Sequence, residues 1–534
     1  DLAEVAVFQG PRAENEMFIG PAGEWNDTVV PRLYYMDQMN YGLWHLTDAE
    51  ARAGIDGLIL GSVVGTWRDQ MKRLRLSQLL EMYYSDRGVN FDTEFRACER
   101  YARYTQLLAE FQSDMLEAQT TNFARVLSYN SPEAVQISDE KLQEFSQKAV
   151  SDFNSHLPNI VSGLRCETYK SSPRVHLNVV LDGTWTRDEA IRVLAQLAED
   201  SDVCYYGSSL AIMNGEDASW ILRETRSAFE LFKLHNKTDN SSSTVTWPSS
   251  LNLRKSLGVL YSYLADKVAE ERRVNAIGDL TYVILVLGYS ATISNEDFDR
   301  SVEIIQNYKS NNPDVRFVYL ASEINQNRYK ALSTTDQTYT DDVIVSPNND
   351  VETVVPSIVN AISKFPGRLI SAYCQGTNTS SARREFEDYI TPGHSSVYRI
   401  HPQFLINTAR ISLYLTGSGY GDLNVCISRE ESVTGTDCQE LKGMNELTIH
   451  VSSPCLNYAQ CPPLYITISA TSTTTRCSED DCRFPDQVRF VLRHEGLNCA
   501  KNPTMRDSGK CHFSNPVISF LFPLAVVLFY STVF

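Results

Sequence analysis

The feature that most constrains the fold is the apolar run Thr281 to Leu287 (TYVILVL) in the middle of the chain. A strand that is apolar on both faces must be covered on both faces, which is typical of a central strand in a parallel sheet. Two further β-rich runs, Val175 to Leu181 and Val315 to Leu320, are separated from it by stretches of helical periodicity. The sequence therefore predicts a doubly wound α/β domain with a mostly parallel sheet over residues 170–370.

The shorter elements of this domain follow from the same periodicities. Short strands are expected at 209–213 and 343–345. The three-and-four spacing of apolar residues predicts helices over 187–199, 218–234, 251–272, 295–309 and 351–365.

The rest of the chain divides by its pattern. Residues 1–58 show no clear periodicity, whereas helical spacing through 59–165 predicts a helical region. Over 390–500 apolar and polar residues alternate, as in Ile411-Leu413-Leu415 and Val488-Phe490-Leu492, which predicts half-buried strands of a β-sandwich. Residues 501–516 form a polar spacer, and 517–534 form an apolar tail. We expect a multidomain protein with these parts in this order.

Twelve cysteines are distributed unevenly, and eight of them lie between Cys426 and Cys511. They lack the paired CxxC spacing of zinc fingers, so disulfides of an oxidising compartment are the better interpretation. The β-sandwich is therefore expected to be disulfide-rich. The disulfide candidates are Cys98, Cys166, Cys204, Cys374, Cys426, Cys438, Cys455, Cys461, Cys477, Cys482 and Cys499.

Surface chemistry agrees with an extracellular location. Four acceptor sequences for N-glycosylation begin at Asn26, Asn236, Asn240 and Asn378. The formal net charge of −18 repels polyanions, and no long Lys/Arg run offsets it, so a nucleic-acid partner is not expected.

The apolar tail predicts attachment to a membrane. An uncharged segment behind a polar spacer and the small residues Asp507-Ser508-Gly509 is typical of a glycosylphosphatidylinositol (GPI) signal, with attachment at Asp507 or alternatively Ser508. Processing there would remove Cys511 and leave eleven of the twelve cysteines, an odd number. Either one thiol is free, a cysteine was lost at the N-terminus, or the tail is retained as a single-pass anchor. Either anchor places the protein on the extracellular face of the cell surface.

The sequence carries no recognisable catalytic signature. It has no HExxH, no G-x-S-x-G and no glycine loop of the Walker or dinucleotide type, and its nine histidines are scattered. No catalytic residue is assigned, and we expect a protein that is not an enzyme.

The segment after the first predicted strand, Asp182-Gly183-Thr184-Trp185-Thr186, resembles the D-x-S-x-S metal motif of von Willebrand factor A domains. The resemblance implies a divalent cation, Mg²⁺ or Ca²⁺, that Asp182, Thr184 and Thr186 hold at the carboxyl edge of the sheet and that a ligand carboxylate completes. The family's second carboxylate is missing, because Gly288-Tyr289-Ser290 follow the central strand.

Other residues near this motif are weaker candidates. Thr246, Ser249 and Ser250 are candidates for the family's middle-loop hydroxyl, and Asp188 or Asp279 could supply a carboxylate. A site with one carboxylate binds a divalent cation weakly. The alternative is that Asp182 only caps the following helix.

Residues 396–430 are similar to the β-domain that follows an A-type domain in hemicentin-like matrix proteins. Together the two resemblances imply a membrane-tethered extracellular glycoprotein for protein–protein recognition or adhesion. Its partner would be an extracellular or membrane protein. The alternative is a non-adhesive accessory subunit of a membrane complex with a degenerate A-type scaffold.

Overall fold

The computed structural model describes residues 48–71, 74–85, 87–89, 91–130, 138–161, 166, 174–236, 246–332, 342–370, 385–406, 410–430, 437–451, 455, 461–473 and 482–497. Within these ranges the chain is a multidomain α/β protein with a helical unit, a mixed six-stranded sheet covered by helices, and a disulfide-bonded β-sandwich. Several predicted features lie outside the described residues: Asn26, Asn240, Asn378, Cys374, Cys477, Cys499, Asp507, Ser508 and the segments 501–516 and 517–534.

The described part of the helical unit contains four α-helices, and the first begins before the predicted boundary at residue 59. They are α1 (Asp48–Gln70), α2 (Leu76–Tyr84), α3 (Arg100–Asn130) and α4 (Asp139–Val161). Its core combines aliphatic and aromatic side chains, and Trp67 and Phe95 pack edge to face within it with ring centroids 4.3 Å apart. The buried Asp56 carboxylate accepts hydrogen bonds from Arg100 Nε at 2.9 Å and from Tyr84 at 2.8 Å, so this internal charge is paired.

The α/β unit follows the predicted alternation. Its elements are β1 (Val175–Leu181), α5 (Arg187–Asp200), β2 (Ser209–Asn214), β3 (Trp220–Thr225), α6 (Phe229–Asn236), α7 (Leu253–Arg273), β4 (Gly278–Asp279), β5 (Thr281–Leu287), α8 (Asn295–Asn311), β6 (Arg316–Ala321), α9 (Gln326–Leu332), β7 (Asp342–Val345) and α10 (Val351–Ile362). The sheet order is β3-β2-β1-β5-β6-β7, with every pair parallel except β2 and β3. This is the strand order of a doubly wound sheet.

Strand β5 shows how the apolar run produces two cores. Successive side chains of a strand point to opposite faces. Val283, Leu285 and Leu287 enter the core under α5 and α10, and Tyr282, Ile284 and Val286 enter the core under α7 and α8. Each fully buried aliphatic side chain stabilises the fold by about 1.5–3 kcal/mol.

Region 218–234 was predicted as one helix, and this prediction is wrong for its first half. Residues 220–225 form β3, which pairs antiparallel with β2, and only the later residues form α6. Ile221 is the one fully buried side chain of β3, so the strand lacks the apolar alternation that would identify it. Pairing with β2 overrides the local helical preference of its Leu, Glu and Arg residues.

The β-sandwich comprises β8 (Gly367–Leu369), β9 (Phe386–Ile390), β10 (Ser395–Ile400), β11 (Ile411–Gly417), β12 (Gly421–Ser428), β13 (Asp437–Leu441), β14 (Glu446–Val451), β15 (Leu464–Thr473) and β16 (Val488–Glu495). One sheet has the order β13-β12-β15-β10-β8-β4 and the other β14-β11-β16-β9. Strands β4 and β8 lie within the predicted 170–370 domain but belong to the sandwich. The two units therefore share a sheet.

The segment 482–487, here called the junction loop, joins the sandwich to the helical unit. Its Phe484 ring is buried in the core of the helical unit. The Cys482 carbonyl accepts hydrogen bonds from Arg75 at 2.7 Å and Gln78 at 2.9 Å. Arg483 contacts Glu81 of the helical unit at 2.8 Å and Asp202 of the α/β unit at 2.9 Å. The junction loop of the sandwich thus contacts both other units.

The described residues contain the disulfides Cys98–Cys166, Cys426–Cys438 and Cys455–Cys461, and Cys482 is also disulfide-bonded. Cys204 was predicted as a disulfide candidate and instead carries a free thiol. Its Sγ lies 3.4 Å from Asp202 Oδ1 in the turn after α5, and burial raises the pKa of this thiol to about 11. The thiol is therefore protonated and weakly nucleophilic at neutral pH.

Among the described helices, none combines the length and apolar character needed to cross a bilayer. Asn236 is the last residue of α6.

Candidate functional site

The candidate site lies where three parallel strands end at one edge of the sheet. Asp182 follows β1, Glu216 lies just beyond β2, and Ser290 lies just beyond β5. Strand β2 lies on one side of β1, and β5 lies on the other side. The direction in which the chain winds across the sheet therefore reverses at β1. In open α/β sheets ligands bind in the crevice at this point.

Among the residues that the structure describes at this edge, Asp182 supplies the one fully buried carboxylate. Its Oδ1 accepts a hydrogen bond from the Thr184 N–H at 3.0 Å, and its Oδ2 accepts one from the Thr184 hydroxyl at 2.5 Å. Such a turn is typical of an Asp that follows a strand. Burial raises the pKa of Asp182 to about 6, although the bonds from Thr184 oppose the rise.

Ser290 completes a chain of hydroxyl groups above Asp182. The Thr184 and Ser290 hydroxyl oxygens lie 2.7 Å apart, and the Ser290 N–H donates to Thr184 Oγ1 at 3.1 Å. Ser290 is exposed and Thr184 is half-buried. We call Asp182, Thr184 and Ser290 the hydroxyl–carboxylate cluster. Ser290 was not among the predicted metal ligands, and its position just beyond a central strand is the signal that identifies it.

Thr186 lies apart from this cluster and caps α5. Its hydroxyl donates to Glu189 Oε2 at 2.8 Å, its N–H donates to the same oxygen at 3.0 Å, and the Glu189 N–H points back to Thr186. This reciprocal arrangement is a capping box. The helix is therefore capped by Thr186, and the alternative that Asp182 caps it is wrong.

Residues 246–250, here called the middle loop, approach the 182–184 turn at Gly183 and bond to Glu216. Ser249 donates to Glu216 Oε2 from both its N–H and its hydroxyl, at 2.7 Å each. A side chain at Gly183 would come within 2.2 Å of the Ser249 carbonyl, so only glycine permits this approach. Of the candidates Thr246, Ser249 and Ser250, the last two pack their backbones against Gly183 of the 182–184 turn.

The two compensating carboxylates proposed from the sequence do not reach this site. Asp188 is exposed in the first turn of α5. Asp279 lies in β4, beside His176 near the start of β1, which is the opposite edge of the sheet.

The described residues do not fit a tight Mg²⁺ or Ca²⁺ site. Asp182 is the only carboxylate of the cluster and both its oxygens accept bonds from Thr184, while the Thr186 hydroxyl is bonded to Glu189. Within the part of the chain that is described, no three His, Cys, Asp or Glu side chains gather in a way that could hold a metal ion. Tight hard-cation sites depend on several charged oxygens.

The opposite edge of the sheet holds a partly buried network of charges. His176 Nδ1 lies 2.8 Å from Ser209 Oγ and 3.4 Å from Glu224 Oε1, and its Nε2 lies 3.3 Å from Asp279 Oδ1. Arg368 of β8 donates to Glu271 Oε2 at 3.0 Å and to the Leu280 carbonyl at 2.8 Å. The network links the α/β unit to the strands β4 and β8 of the sandwich.

Hydrogen bonding controls the protonation of this network. Burial alone would lower the pKa of His176, but hydrogen bonds to Asp279 and Glu224 outweigh it and raise the pKa above its ordinary value. The bond from His176 is the largest cause that holds the pKa of Glu224 well below its usual range. The row Ser209–His176–Asp279 has the residue types of a catalytic triad, but Ser209 is 1% exposed and its hydroxyl also donates to Glu224 at 2.8 Å. It cannot reach a substrate in this arrangement.

Comparisons with known proteins show little. No family model matches the chain, and no curated protein matches it. Among solved structures, the chain is similar to the SpRpn10 VWA domain at 12% identity over 34% of this chain and 96% of that one, with a TM-score of 0.24.

The chain is 6% identical to a two-domain esterase active on acetylated mannans, with a TM-score of 0.22. The match covers 61% of this chain and 93% of that one. The chain is 11% identical to the pre-peptidase C-terminal domain of a Bacillus anthracis collagenase, with a TM-score of 0.14. The match covers 21% of this chain and 87% of that one. Likenesses at this level carry no argument about function.

Proposed function

We propose that this protein is an extracellular recognition protein that binds a partner protein through the carboxyl edge of a von Willebrand factor A-like domain. The observation that carries the proposal is the hydroxyl–carboxylate cluster, which occupies the reversal point of the sheet. Exposed loops with convergent polar groups at this point are suited to recognition.

Two further observations support an extracellular role. The described disulfides indicate an oxidising compartment, since cytosolic proteins rarely keep such bonds. The predicted glycosylation sites and the apolar tail at 517–534 extend the proposal to a glycoprotein tethered to the cell surface.

The cluster favours recognition by hydrogen bonding over recognition through a bridging cation. The exposed Ser290 hydroxyl can donate or accept, and the Asp182 carboxylate beneath it orients the Thr184 hydroxyl. We therefore expect partner binding to persist, within about twofold, when EDTA removes divalent cations. A loss of most binding in EDTA would restore the cation-dependent mechanism that the resemblance implies.

The role of the carboxyl edge is tested by displaying the full chain on cells and measuring its binding to an array of purified extracellular proteins. A partner identified there should bind Ser290→Arg at least tenfold more weakly, because the new side chain covers the cluster. Ser262→Arg is the matched control, since Ser262 is an exposed serine on α7 in the same unit. Equal binding by wild type and Ser290→Arg would place recognition elsewhere on the molecule.

Membrane attachment is tested on intact cells with a phosphatidylinositol-specific phospholipase and intact-mass measurement of the released chain. Release with a carboxyl terminus near Asp507 is expected for a GPI anchor. Retention, with the mass of residues 517–534 still present, would indicate a single-pass anchor and contradict lipid attachment.

The accessory-subunit function is favoured by one observation, the single carboxylate at the candidate cation site. A degenerate A-type scaffold of this kind would form a stable complex with a protein in the same membrane. Co-purification of such a protein from detergent, unaffected by Ser290→Arg, would favour this second function.

A further inference from the structure

A cavity opens between α7 and α8 on one face of the α/β unit, away from the hydroxyl–carboxylate cluster. It has a volume of about 230 Å³, and most of its walls are apolar or aromatic. Tyr261, Leu264 and Val268 line it from α7, and Tyr308 lines it from α8. Leu264 and Tyr308 are each 1% exposed, and the Tyr308 hydroxyl donates to the Leu257 carbonyl at 2.9 Å. This part of the wall is therefore fixed by packing.

Two polar donors complete the lining, and they come from the last turn of α7 and the residue after α8. Asn312 lines the cavity, and its side-chain Nδ2 is buried and has no hydrogen-bond partner among the described residues. Buried amide donors are almost always satisfied, so this one calls for an acceptor in the cavity.

Arg272 is the second donor. It lines the same cavity and forms no ion pair with any carboxylate in the described part of the chain. The neighbouring Arg273 behaves differently, because its Nε donates to Glu270 at 2.7 Å outside the cavity. In a chain with net charge −18, an arginine that lines an apolar cavity and has no ion pair among the described residues is a positive group available to an anion.

We propose that this cavity binds a small amphipathic anion, namely a carboxylate attached to one aromatic ring system. Arginine and a primary amide both donate, and the lining adds no carboxylate, so a bound head group must accept hydrogen bonds and carry negative charge. The tyrosine rings and aliphatic side chains suit an aromatic body. The volume of about 230 Å³ is below the range of drug-sized sites, which limits the occupant to a small ring system.

The probe is indole-3-acetate, titrated into the full chain and followed by ligand-observed NMR and calorimetry. Saturable binding with one site per chain is expected. Arg272→Met should weaken it roughly tenfold or more, because a charge-assisted hydrogen bond is lost. Asn312→Leu should weaken it by a smaller factor. Arg273→Met is the matched control and should bind as the wild type does.

A second measurement uses only the wild-type protein and does not depend on the folding of a variant. Indole-3-acetamide has the same ring and no charge, and it should bind roughly tenfold more weakly than the acid. Absence of saturable binding by indole-3-acetate, equal affinity for acid and amide, or equal weakening by Arg272→Met and Arg273→Met would each overturn the proposal.

Discussion

The carboxylates at the two edges of the parallel sheet differ: Asp182 is fully buried, whereas the Asp279 side chain is 33% exposed. At the carboxyl edge Asp182 is surrounded by the hydroxyl and N–H groups of Thr184, and burial raises its pKa to about 6. At the amino edge Asp279 lies beside His176 and Arg368. Burial opposes its ionisation, but the bond with His176 and the two positive charges hold its pKa well below the usual range. The ionised form of Asp182 is therefore disfavoured, whereas the ionised form of Asp279 is stabilised by positive partners.

The difference agrees with the proposed function, in which the amino edge is structural and the carboxyl edge binds a partner. Charged partners at the amino edge come from β1, α7 and β8, so pairing there fixes the α/β unit to the sandwich. At the carboxyl edge the cluster involves only the turns after β1 and β5, and its Ser290 hydroxyl is exposed. Proteins keep incompletely compensated polar groups chiefly where function requires them.

The largest expected effect is at the amino edge. Arg368→Met removes the partner of the buried Glu271 carboxylate and should lower the free energy of unfolding by about 3–5 kcal/mol. Urea denaturation measures this. Arg254→Met is the control, because Arg254 and its partner Glu296 are 45% and 82% exposed and should contribute little. If Arg368→Met and Arg254→Met lowered the free energy of unfolding by the same small amount, the amino-edge network would not stabilise the fold.

The carboxyl edge should respond in the opposite direction. A carboxyl group whose folded-state pKa is raised loses stability as pH rises from about 4 to its folded value, and the loss persists above it. Asp182→Asn should therefore raise the free energy of unfolding by about 2 kcal/mol at pH 8 and have little effect at pH 3.5. Asp188→Asn, at an exposed position, is the control. A loss of stability at pH 8 would contradict the comparison of the two edges.

His176 should give the amino edge its own pH dependence. Because its pKa is raised by Asp279 and Glu224, its contribution is complete below the unfolded pKa of about 6.5 and is lost as pH rises through the folded value. Each unit by which the pKa is raised corresponds to about 1.36 kcal/mol. His176→Gln should remove this fall in stability between pH 6 and 9, whereas His450→Gln, in the sandwich, should retain it.

The smallest effect is expected for Ser290→Ala. Thr184 would lose the 2.7 Å contact with the Ser290 hydroxyl but keep the bond from the Ser290 N–H. The free energy of unfolding should fall by about 0.5–1 kcal/mol, while partner binding falls more clearly. A change above about 2 kcal/mol in thermal or urea unfolding would mean that this edge is structural as well.

The parts of the fold that the sequence predicts are those with strong local periodicity. The run at 281–287 is apolar on both faces, so β5 and the parallel sheet follow from it. Strands β4 and β8 have two and three residues, which is too short for any periodic signal. Their place in the sandwich sheet depends on pairing with β10, a contact far along the chain.

The candidate site was predictable to a similar extent. Asp182 and Thr184 follow a strand in a recognisable motif, and the structure brings them together. Ser290 joins them only because β5 lies beside β1 in the folded sheet. Cys204 was predicted wrongly for a related reason. Most cysteines of a disulfide-bonded chain are paired, but a disulfide also requires a second cysteine nearby in the fold, which the sequence does not reveal.

The sharing of strands between units has a consequence for cleavage of the chain. After a single cut between residues 370 and 385, β8 would remain hydrogen-bonded to β10, and Arg174 would still contact Asp388 at 2.7 Å. The fragments would separate on a denaturing gel and co-elute in gel filtration. Separation of the α/β unit from the sandwich would therefore require unfolding as well as proteolysis, so a molecule cut once in this segment should remain a single folded body.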